Sequence, residues 1–260
     1  MKATDIRTVQ VTRYVEPLRE GGSLPAIVEA DDGFPYVIKF RGAGQGLKAL
    51  IAELIGGELA RLVGLRVPEI VFMELDESFS RLEPDQEIQD LLRFSVGLNL
   101  GLHYLSGALT YDPLVSTVDP LEASLVVLLD SLITNIDRTA RNTNLLIWKR
   151  ELWLIDHGAG LYFHHSWSGW EDKAKRPFAR VKDHVLLSKA TALDEAARYL
   201  SGVLVDEEID LILSVIPDDW LADERDGLSP ADKRQVYRSF LRKRIEDLEQ
   251  HVNVARHARA

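Results

Sequence analysis

Residues 135–147 read Asn-Ile-Asp-Arg-Thr-Ala-Arg-Asn-Thr-Asn-Leu-Leu-Ile, and this stretch decides the fold predicted for the chain. It places Asp137 five positions before Asn142, and a hairpin-like pair of apolar runs then leads to Asp156, which begins an Asp-His-Gly triplet. Phosphoryl transfer requires one carboxylate that orients or deprotonates the attacking hydroxyl. It also requires an amide oxygen and a second carboxylate that hold magnesium on the nucleotide phosphates. The spacing therefore predicts Asp137 as the catalytic carboxylate, and Asn142 and Asp156 as magnesium ligands.

A lysine upstream of this stretch lies on a predicted strand. Residues 36–40 read Tyr-Val-Ile-Lys-Phe and follow the turn signal Asp-Asp-Gly, so Lys39 shares one face of the strand with Val37. Val-Ile-Lys resembles the Val-Ala-Ile-Lys motif of protein kinases, whose lysine neutralises the α- and β-phosphates of the nucleotide. This resemblance predicts that Lys39 binds phosphate.

The helix predicted after this strand offers a carboxylate to Lys39. Apolar residues recur at intervals of three and four from Leu47 to Leu54, and Gly64 ends the helix. Glu53 and Glu58 both lie on it. We expect Glu53 to form the ion pair with Lys39, and the alternative for each glutamate is a solvated helix face.

Two backbone segments are candidate nucleotide contacts. Gly21, Gly22 and Ser23 precede the predicted hairpin, and glycine amides can approach a phosphate closely. A predicted extended segment ends at Leu105 and leads into a turn that contains Gly107. In a two-lobed kinase, backbone groups of Leu105 and Gly107 would receive adenine, although a turn without a ligand explains this segment equally well.

The second half of the chain is predicted to be mainly helical. Asp119-Pro120 begins one helix, with aspartate at the N-cap, proline at the first position and Glu122 at the third. Further helices are predicted at residues 193–204, at 206–216 and from 229 to about 254. Four apolar residues mark the expected buried face of the last helix: Tyr237, Leu241, Leu248 and Val252.

The composition is that of a globular protein and excludes several functions. Hydrophobic residues are 46% and charged residues 28%, and the formal net charge of −10 disfavours broad contact with nucleic acid. There are no cysteines, which excludes disulfides, cysteine-rich zinc sites and thiol nucleophiles and fits a reducing cytoplasm. No run of apolar residues is long enough for a transmembrane helix, and the N-terminus lacks a signal-peptide pattern. We therefore expect a cytoplasmic protein without a membrane partner.

Five segments together resemble the HipA-like kinases, a bacterial group of protein-kinase-like phosphotransferases. They are Tyr36–Phe40, Arg41–Gly46, Ala52–Leu54 with Leu65–Pro68, Asn135–Asn142 and Leu154–Gly158. The resemblance implies an α+β, bilobal protein-kinase-like fold, with a β-rich N-lobe over residues 1–108 and a mostly helical C-lobe over residues 109–260. It implies ATP and Mg²⁺ as cofactors, and a Ser or Thr hydroxyl of a protein as the first expected acceptor. It assigns the same roles to the residues identified above, and Arg141 matches a basic residue of the family pattern.

Two departures from the family pattern keep other functions open. Thr139 stands two positions after Asp137, where HipA proteins tend to have His and Ser/Thr kinases Lys. That residue helps to neutralise the transferred phosphoryl group, so turnover would require Arg138 or Arg141 in its place, and a pseudokinase that only binds nucleotide is the alternative. His157 also replaces the usual Phe of Asp-Phe-Gly. A lipid or small-molecule kinase is a further variant, because Asp-Arg-x-x-x-Asn also resembles phosphoinositide kinases, although the acidic net charge disfavours an anionic lipid surface.

Overall fold

A computed structural model of the chain describes residues 6–18, 24–222 and 226–259. Its first half is built on five strands that close into a barrel in the order β1-β2-β3-β5-β4. The strands are β1 (Thr8–Pro17), β2 (Ala26–Ala30), β3 (Pro35–Lys39), β4 (Ile70–Leu75) and β5 (Gly97–His103). Neighbouring strands are antiparallel except β1 and β4, which are parallel.

The β2–β3 hairpin positions Lys39. The predicted turn between the two strands is present, and Gly33 in it has a φ of 82°, which glycine adopts without a steric penalty. Along β3, Tyr36 and Ile38 are fully buried in the barrel interior, whereas Val37 and Lys39 lie on the opposite face. The period of two along a strand therefore turns Lys39 out of the barrel.

Strand β1 was not predicted from the sequence. Val9 and Val11 are its buried residues, and they alternate with exposed polar residues. Val11 pairs with Ala30 on β2, and Val9 pairs with Met73 on β4. Two valines are a weak local signal, so it is the pairing with both neighbours that makes this segment a strand.

The rest of the described chain is mainly helical and carries a small second sheet. The helices are α1 (Gly46–Leu62), α2 (Ser78–Leu82), α3 (Gln86–Phe94), α4 (Pro120–Leu132), α5 (Trp170–Lys175), α6 (Leu193–Val203), α7 (Asp206–Ser214), α8 (Asp218–Leu221), α9 (Pro230–Glu246) and α10 (Leu248–Arg259). The second sheet has the order β6 (Leu109–Thr110), β7 (Leu145–Trp148), β8 (Glu151–Leu154). Strands β7 and β8 form the hairpin expected after Asn142. None of the helices within residues 6–18, 24–222 and 226–259 combines the length and the apolar character that crossing a bilayer requires.

Helix α1 joins the barrel to the helices that follow. Its buried residues, from Leu50 to Ala60, share one apolar core with α4, α6 and α9, whereas the barrel interior forms a separate cluster with α3. A Cβ on Gly57 would lie 2.5 Å from Ile70 Cδ1, so α1 packs closely on β4 only because this residue is glycine. Residues on both sides of position 108 thus contribute to the larger core, and the predicted lobe boundary there stays a prediction.

The predicted start of α4 is confirmed. The Asp119 carboxylate accepts hydrogen bonds from the backbone N–H groups of Leu121 at 2.8 Å and Glu122 at 3.1 Å, and Pro120 is the first helical residue. All residues from Ala123 to Leu132 are buried, including Asp130. Helix α4 is therefore the central helix of the second half, and it ends where the loop of Asp137 begins.

The single helix predicted from residue 229 to about 254 is wrong, because the structure has two helices here. Helix α9 has Ser229 as its N-cap and ends at Glu246, and α10 begins at Leu248. The backbone N–H of Asp247 still donates to Lys243, and its carbonyl accepts from Gln250 at 2.9 Å. No glycine or proline marks the break, so local sequence rules cannot locate it. The predicted buried residues Tyr237, Leu241, Leu248 and Val252 are all buried.

Arg244 on α9 ties together three parts of the helical half. Its guanidinium is buried and donates to the carbonyl oxygens of Leu132 and Ser131, both at 2.7 Å, and of Arg176 at 2.9 Å and Ala174 at 3.2 Å. Burial lowers the pKa of Arg244 to about 10, so the side chain stays charged at neutral pH. The end of α4 and the segment after α5 are thus fixed to α9 by one side chain.

Replacing this arginine should destabilise the protein strongly. Arg244→Leu leaves buried carbonyl groups without donors, so we expect the free energy of unfolding in urea to fall by at least about 3 kcal/mol. The matched control is Arg242→Leu on the same helix, whose side chain is 58% exposed and pairs with Glu246. Its cost should stay below about 1 kcal/mol. Equal losses for the two variants would contradict the role assigned to Arg244.

Candidate active site

Lys39 lies between two carboxylates that come from distant parts of the chain. Its Nζ is 2.5 Å from Glu53 Oε2, on α1, and 2.5 Å from Asp156 Oδ1, in the loop after β8. Glu53 is fully buried, whereas the Asp156 side chain is 44% exposed. Glu53 therefore holds the lysine from inside, and Asp156 keeps part of its carboxylate accessible.

These charges stabilise one another. Burial alone would lower the pKa of Lys39, but Asp156 and Glu53 together raise it above its ordinary value. Burial alone would raise the pKa of Glu53, but Lys39 and His157 hold it well below its ordinary range. At neutral pH the site therefore contains a fixed ammonium and a fixed buried carboxylate.

The backbone around Asp156 aims its side chain at Lys39. Asp156 has a φ of 56°, in the left-handed region, which aspartate tolerates better than most residues. A Cβ on Gly158 would lie 3.4 Å from the carbonyl oxygen of Ala49, so the loop after Asp156 runs directly against α1. The Asp-x-Gly spacing found in the sequence thus reflects a loop that packs on the helix carrying Glu53.

His157 adds a polar contact between this loop and α1. Its ring is fully buried, and Nδ1 lies 3.4 Å from Glu53 Oε1. A Cβ on Gly56 would lie 2.7 Å from His157 Cβ, so a residue larger than glycine at position 56 would push the loop away from α1. Nε2 has no hydrogen-bond partner among the described residues. A phenylalanine in the place of His157 could fill the space but could not contact the Glu53 carboxylate by a hydrogen bond.

The loop of Asp137 is held by the buried carboxylate of Asp130, on α4. Asp130 accepts hydrogen bonds from Arg138 Nε at 2.5 Å, His184 Nε2 at 2.9 Å and Asn135 Nδ2 at 3.0 Å. Burial alone would raise the pKa of Asp130, but Arg138, His184 and His157 hold it well below its ordinary range. One anionic group thus fixes the loop and the segment around His184 to the central helix.

Arg138 also connects the two loops that carry the candidate catalytic and metal residues. Its Nη1 donates to the carbonyl oxygens of Asn144 and, at 3.1 Å, Ile155. Because Arg138 follows Asp137 and Ile155 precedes Asp156, this side chain brings the two loops side by side. Arg138 itself is buried, so it is not available to a phosphoryl group.

Asp137 and Asn142 are in direct contact. Asp137 Oδ2 accepts from Asn142 Nδ2 at 2.6 Å and from Asn144 Nδ2 at 3.4 Å, and Asn135 Oδ1 accepts from the Asp137 backbone N–H at 3.2 Å. Asp137 is half-buried and Asn142 is exposed. Because the side-chain Nδ2 of Asn142 faces Asp137, the side-chain Oδ1 of Asn142 is left for another partner.

The remaining oxygens suit a magnesium ion that binds together with phosphate. The carbonyl oxygen of Asn142 and the second carboxylate oxygen of Asp156 are hard ligands of the kind that Mg²⁺ prefers. Within the described residues, no three His, Cys, Asp or Glu side chains are grouped as a metal site. Mg²⁺ commonly takes only one or two protein ligands and completes its shell with phosphate oxygens and water. The residues present therefore fit a metal that arrives with the nucleotide.

Thr139 and Arg141, on the same loop, differ in what they offer a substrate. The backbone N–H of Thr139 donates to the carbonyl oxygens of Asp137 and Asn142, both at 2.9 Å, which fixes the loop but adds no charge. Arg141 is exposed and has no hydrogen bond or ion pair with any described residue. Of the two arginines considered for the transferred group, Arg141 is thus the accessible one.

The predicted adenine segment forms a turn next to the second sheet. Leu105 is buried and its carbonyl accepts from the Ala108 N–H at 3.0 Å, and Gly107 has a φ of 76°. Trp148 Nε1 donates to the Ser106 carbonyl at 3.0 Å and fixes the turn to β7. Contact of this turn with adenine stays a prediction.

Some of the site residues were identified from the sequence, and others were missed. The predicted phosphate loop of Gly21, Gly22 and Ser23 lies outside the described residues. Asp130 and His184 were not identified, although an aspartate inside an otherwise apolar helix is a signal that could have found Asp130. One partner of that aspartate, His184, comes from a segment 54 residues away and leaves no local pattern.

Comparisons with known proteins bear on the family and the fold of the chain. A family model described as HipA-like kinase matches residues 11–250 of the chain, and no protein with a curated description matches it. The crystal structure of the Helicobacter pylori proinflammatory kinase CtkA is similar over 97% of this chain and 98% of that one, with 11% identity and a TM-score of 0.55. The Golgi casein kinase with Mn/ADP bound is similar over 97% and 74%, with 10% identity and a TM-score of 0.53. The fold, which combines strands and helices, is therefore one that kinases also have.

The glutamate that pairs with Lys39 can be tested against its neighbour. Glu53→Gln removes a buried anion from a buried cation, so we expect MgATP affinity measured by calorimetry to fall about tenfold or more. Glu58→Gln is the control, because Glu58 pairs with Arg61 at 3.0 Å and not with Lys39. A larger effect at Glu58 than at Glu53 would show that this ion pair does not organise the site.

A second prediction concerns the polar contact of His157. His157→Phe keeps the buried volume but loses the contact with Glu53, so KM for ATP should rise while the urea midpoint stays near that of the wild type. His157→Asn, which can donate to the same carboxylate, should restore part of the ATP affinity. His164→Phe is the control for a buried histidine, because His164 contacts Tyr237 OH at 2.8 Å. It should change stability and leave KM unaltered; the reverse pattern would contradict the assignment.

Proposed function

The chain belongs to the HipA-like kinase family, and from this membership we propose that it is an ATP-dependent phosphotransferase whose acceptor is a Ser or Thr hydroxyl of a protein. The observation that carries the proposal is the contact of Asp137 with Asn142 at 2.6 Å, in a loop that Arg138 connects to that of Asp156. Asp137, the candidate base, thus lies next to Asn142, a candidate metal ligand. The other candidate ligand, Asp156, contacts the ammonium group of Lys39. Phosphoryl transfer depends mainly on such positioning and electrostatic stabilisation.

The nucleotide would lie between the barrel and the helical half, which would correspond to the two lobes of a kinase. Lys39 would donate to oxygens of the α- and β-phosphates, with Glu53 keeping its Nζ in place. Asn142 and Asp156 would hold Mg²⁺, which when bound offsets the negative charge of the phosphate oxygens. Gly21, Gly22 and Ser23 would contribute backbone amides, and Leu105 and Gly107 would contact adenine.

Asp137 would act on the acceptor. Its carboxylate orients the hydroxyl and accepts its proton as the hydroxyl oxygen bonds to the γ-phosphorus and ADP leaves. The hydrogen bonds from Asn142 and Asn144 keep the Asp137 side chain in one orientation. Arg141 would neutralise charge on the transferred group, in the place of the residue that Thr139 replaces.

A nucleotide-binding pseudokinase is the second candidate, and one observation favours it. Arg138 is buried against Asp130 and Thr139 is uncharged, so turnover depends on Arg141 alone among these three residues. If Arg141 does not reach the phosphoryl group, the protein would bind nucleotide but would not catalyse transfer. A lipid or small-molecule acceptor is the other variant of the same chemistry.

Two aspartate variants separate binding from transfer. Asp137→Asn preserves shape but cannot accept a proton, so we expect MgATP affinity to change by less than about twofold and transfer to fall by roughly 10²–10⁴-fold. Asp156→Ala should abolish the magnesium-dependent part of ATP affinity. Asp219→Asn, an exposed aspartate on α8, is the control.

The measurements are calorimetry with MgATP and transfer from γ-labelled ATP to proteins, lipids and small molecules of a bacterial lysate. Unchanged magnesium-dependent affinity in Asp156→Ala would contradict the metal assignment. Wild-type protein that binds MgATP but labels no acceptor would be the pseudokinase.

A further inference from the structure

The segment that begins in α5 is cationic in an otherwise acidic protein. Residues 171–189 contain six Lys or Arg and three Asp or Glu, whereas the whole chain contains 31 and 41. Among the lysines of the described residues, three have a side chain without a hydrogen bond, ion pair or ring contact: Lys175, Lys182 and Lys189. All three lie in this segment, so its charge is not used to stabilise the fold.

Three of these cations are accessible. The side chains of Lys175, Arg176 and Lys182 are exposed, and none of these side chains has a hydrogen bond or ion pair with the described residues. We call these three residues the cationic ledge. Arg180, between them, is also exposed but pairs with Asp183 at 3.6 Å, and Lys173 donates to the Ser166 carbonyl at 2.7 Å. The ledge thus retains its positive charge after its neighbours are paired.

The backbone beneath the ledge is fixed. Ala174, Phe178 and Val181 are buried and alternate with the exposed cations. Arg244 Nη1 donates to the carbonyl oxygens of Ala174 and Arg176 at 3.2 and 2.9 Å. A ligand that binds here would not have to order the segment first, which removes one cost of association.

The ledge leads to the loop of Asp137. Lys182 lies two positions before His184, which pairs with Thr139 in a β-bridge and donates to Asp130. The next residue, Val185, donates its backbone N–H to the Arg138 carbonyl at 3.1 Å. A polypeptide on the ledge would therefore extend toward the residues proposed to act on the acceptor hydroxyl.

We propose that the cationic ledge binds an acidic stretch of the protein acceptor, in which Glu or Asp side chains flank the phosphorylated Ser or Thr. The proposal rests on the proposed function and names its substrate class. An acidic polypeptide is repelled by a protein of net charge −10 unless it meets a local positive surface, and the ledge is such a surface. The ledge would therefore select the acceptor by charge complementarity.

The kinetic test uses three synthetic peptides with one central Ser flanked by Glu, Gln or Lys. We expect kcat/KM of the wild type to be roughly five- to tenfold higher for the Glu peptide than for the Gln peptide, as two or three exposed ion pairs would give. The preference should disappear in about 0.5 M NaCl, which screens exposed charges. Arg176→Ala with Lys182→Ala should reduce it to about twofold or less while MgATP affinity is unchanged.

The matched control removes two cations elsewhere. Arg93→Ala with Arg198→Ala deletes two exposed arginines that also lack described partners, on α3 and α6. This variant should keep the preference for the Glu peptide. An equal loss in the control would show a general charge effect and overturn the proposal.

Binding measured without turnover separates this proposal from the proposed function. In fluorescence anisotropy, the wild type should bind a labelled Glu peptide more tightly than the Gln peptide, and the ledge variant should not. No difference in the wild type overturns the ledge proposal. Selective binding of the Glu peptide without any phosphate transfer would support the ledge proposal and contradict the proposed protein kinase activity. Stronger ledge-dependent binding to phosphatidylserine vesicles or to a single-stranded oligonucleotide would overturn the assignment to an acidic polypeptide.

Discussion

A buried ammonium group needs anionic partners, and this requirement fixes where the two halves of the protein meet. Lys39 comes from the barrel, Glu53 from α1 and Asp156 from a loop 117 residues further along the chain. Each charge would be costly to bury alone, because the protein interior solvates ions poorly. Together they keep β3, α1 and the loop after β8 in one arrangement, and the candidate nucleotide site is built around that arrangement.

The same need for an opposite charge applies to Asp130, which holds the loop of Asp137. Asp130 is buried within α4, and Arg138 and His184 supply the donors that its carboxylate requires. Buried ion pairs of this kind contribute little net stability, because desolvation offsets much of the attraction. Their effect here is geometric: they place the loop of Asp137 beside that of Asp156. Preorganised donors and charges are what catalysis of phosphoryl transfer requires.

The residues proposed to meet a substrate are accessible. Asn142, Arg141 and the cationic ledge are accessible, whereas the groups that hold their segments, Arg138 and Arg244, are buried. His157 adds a buried polar contact between α1 and the loop of Asp156. Its ring stands where Asp-Phe-Gly has a phenylalanine, and it contacts the Glu53 carboxylate. The protein thus combines a fixed polar scaffold with a small accessible set of reactive groups.

The sequence alone determined the features that depend on neighbouring residues. The helix start at Asp119, the turn before β3 and the hairpin after Asn142 follow from local capping, glycine and alternation rules, and the structure contains all three. From the sequence, Glu53 was also preferred to Glu58 as the partner of Lys39, which agrees with the observed pair. Only the tertiary structure decided the features that depend on distant partners. Strand β1 forms because two other strands pair with it, the last helix breaks at Asp247 without a glycine or proline, and His184 turns inward because Asp130 lies buried on an element 54 residues away in the chain. Residues close in the chain share local rules, but a buried charge takes its position from whichever segment brings the opposite charge.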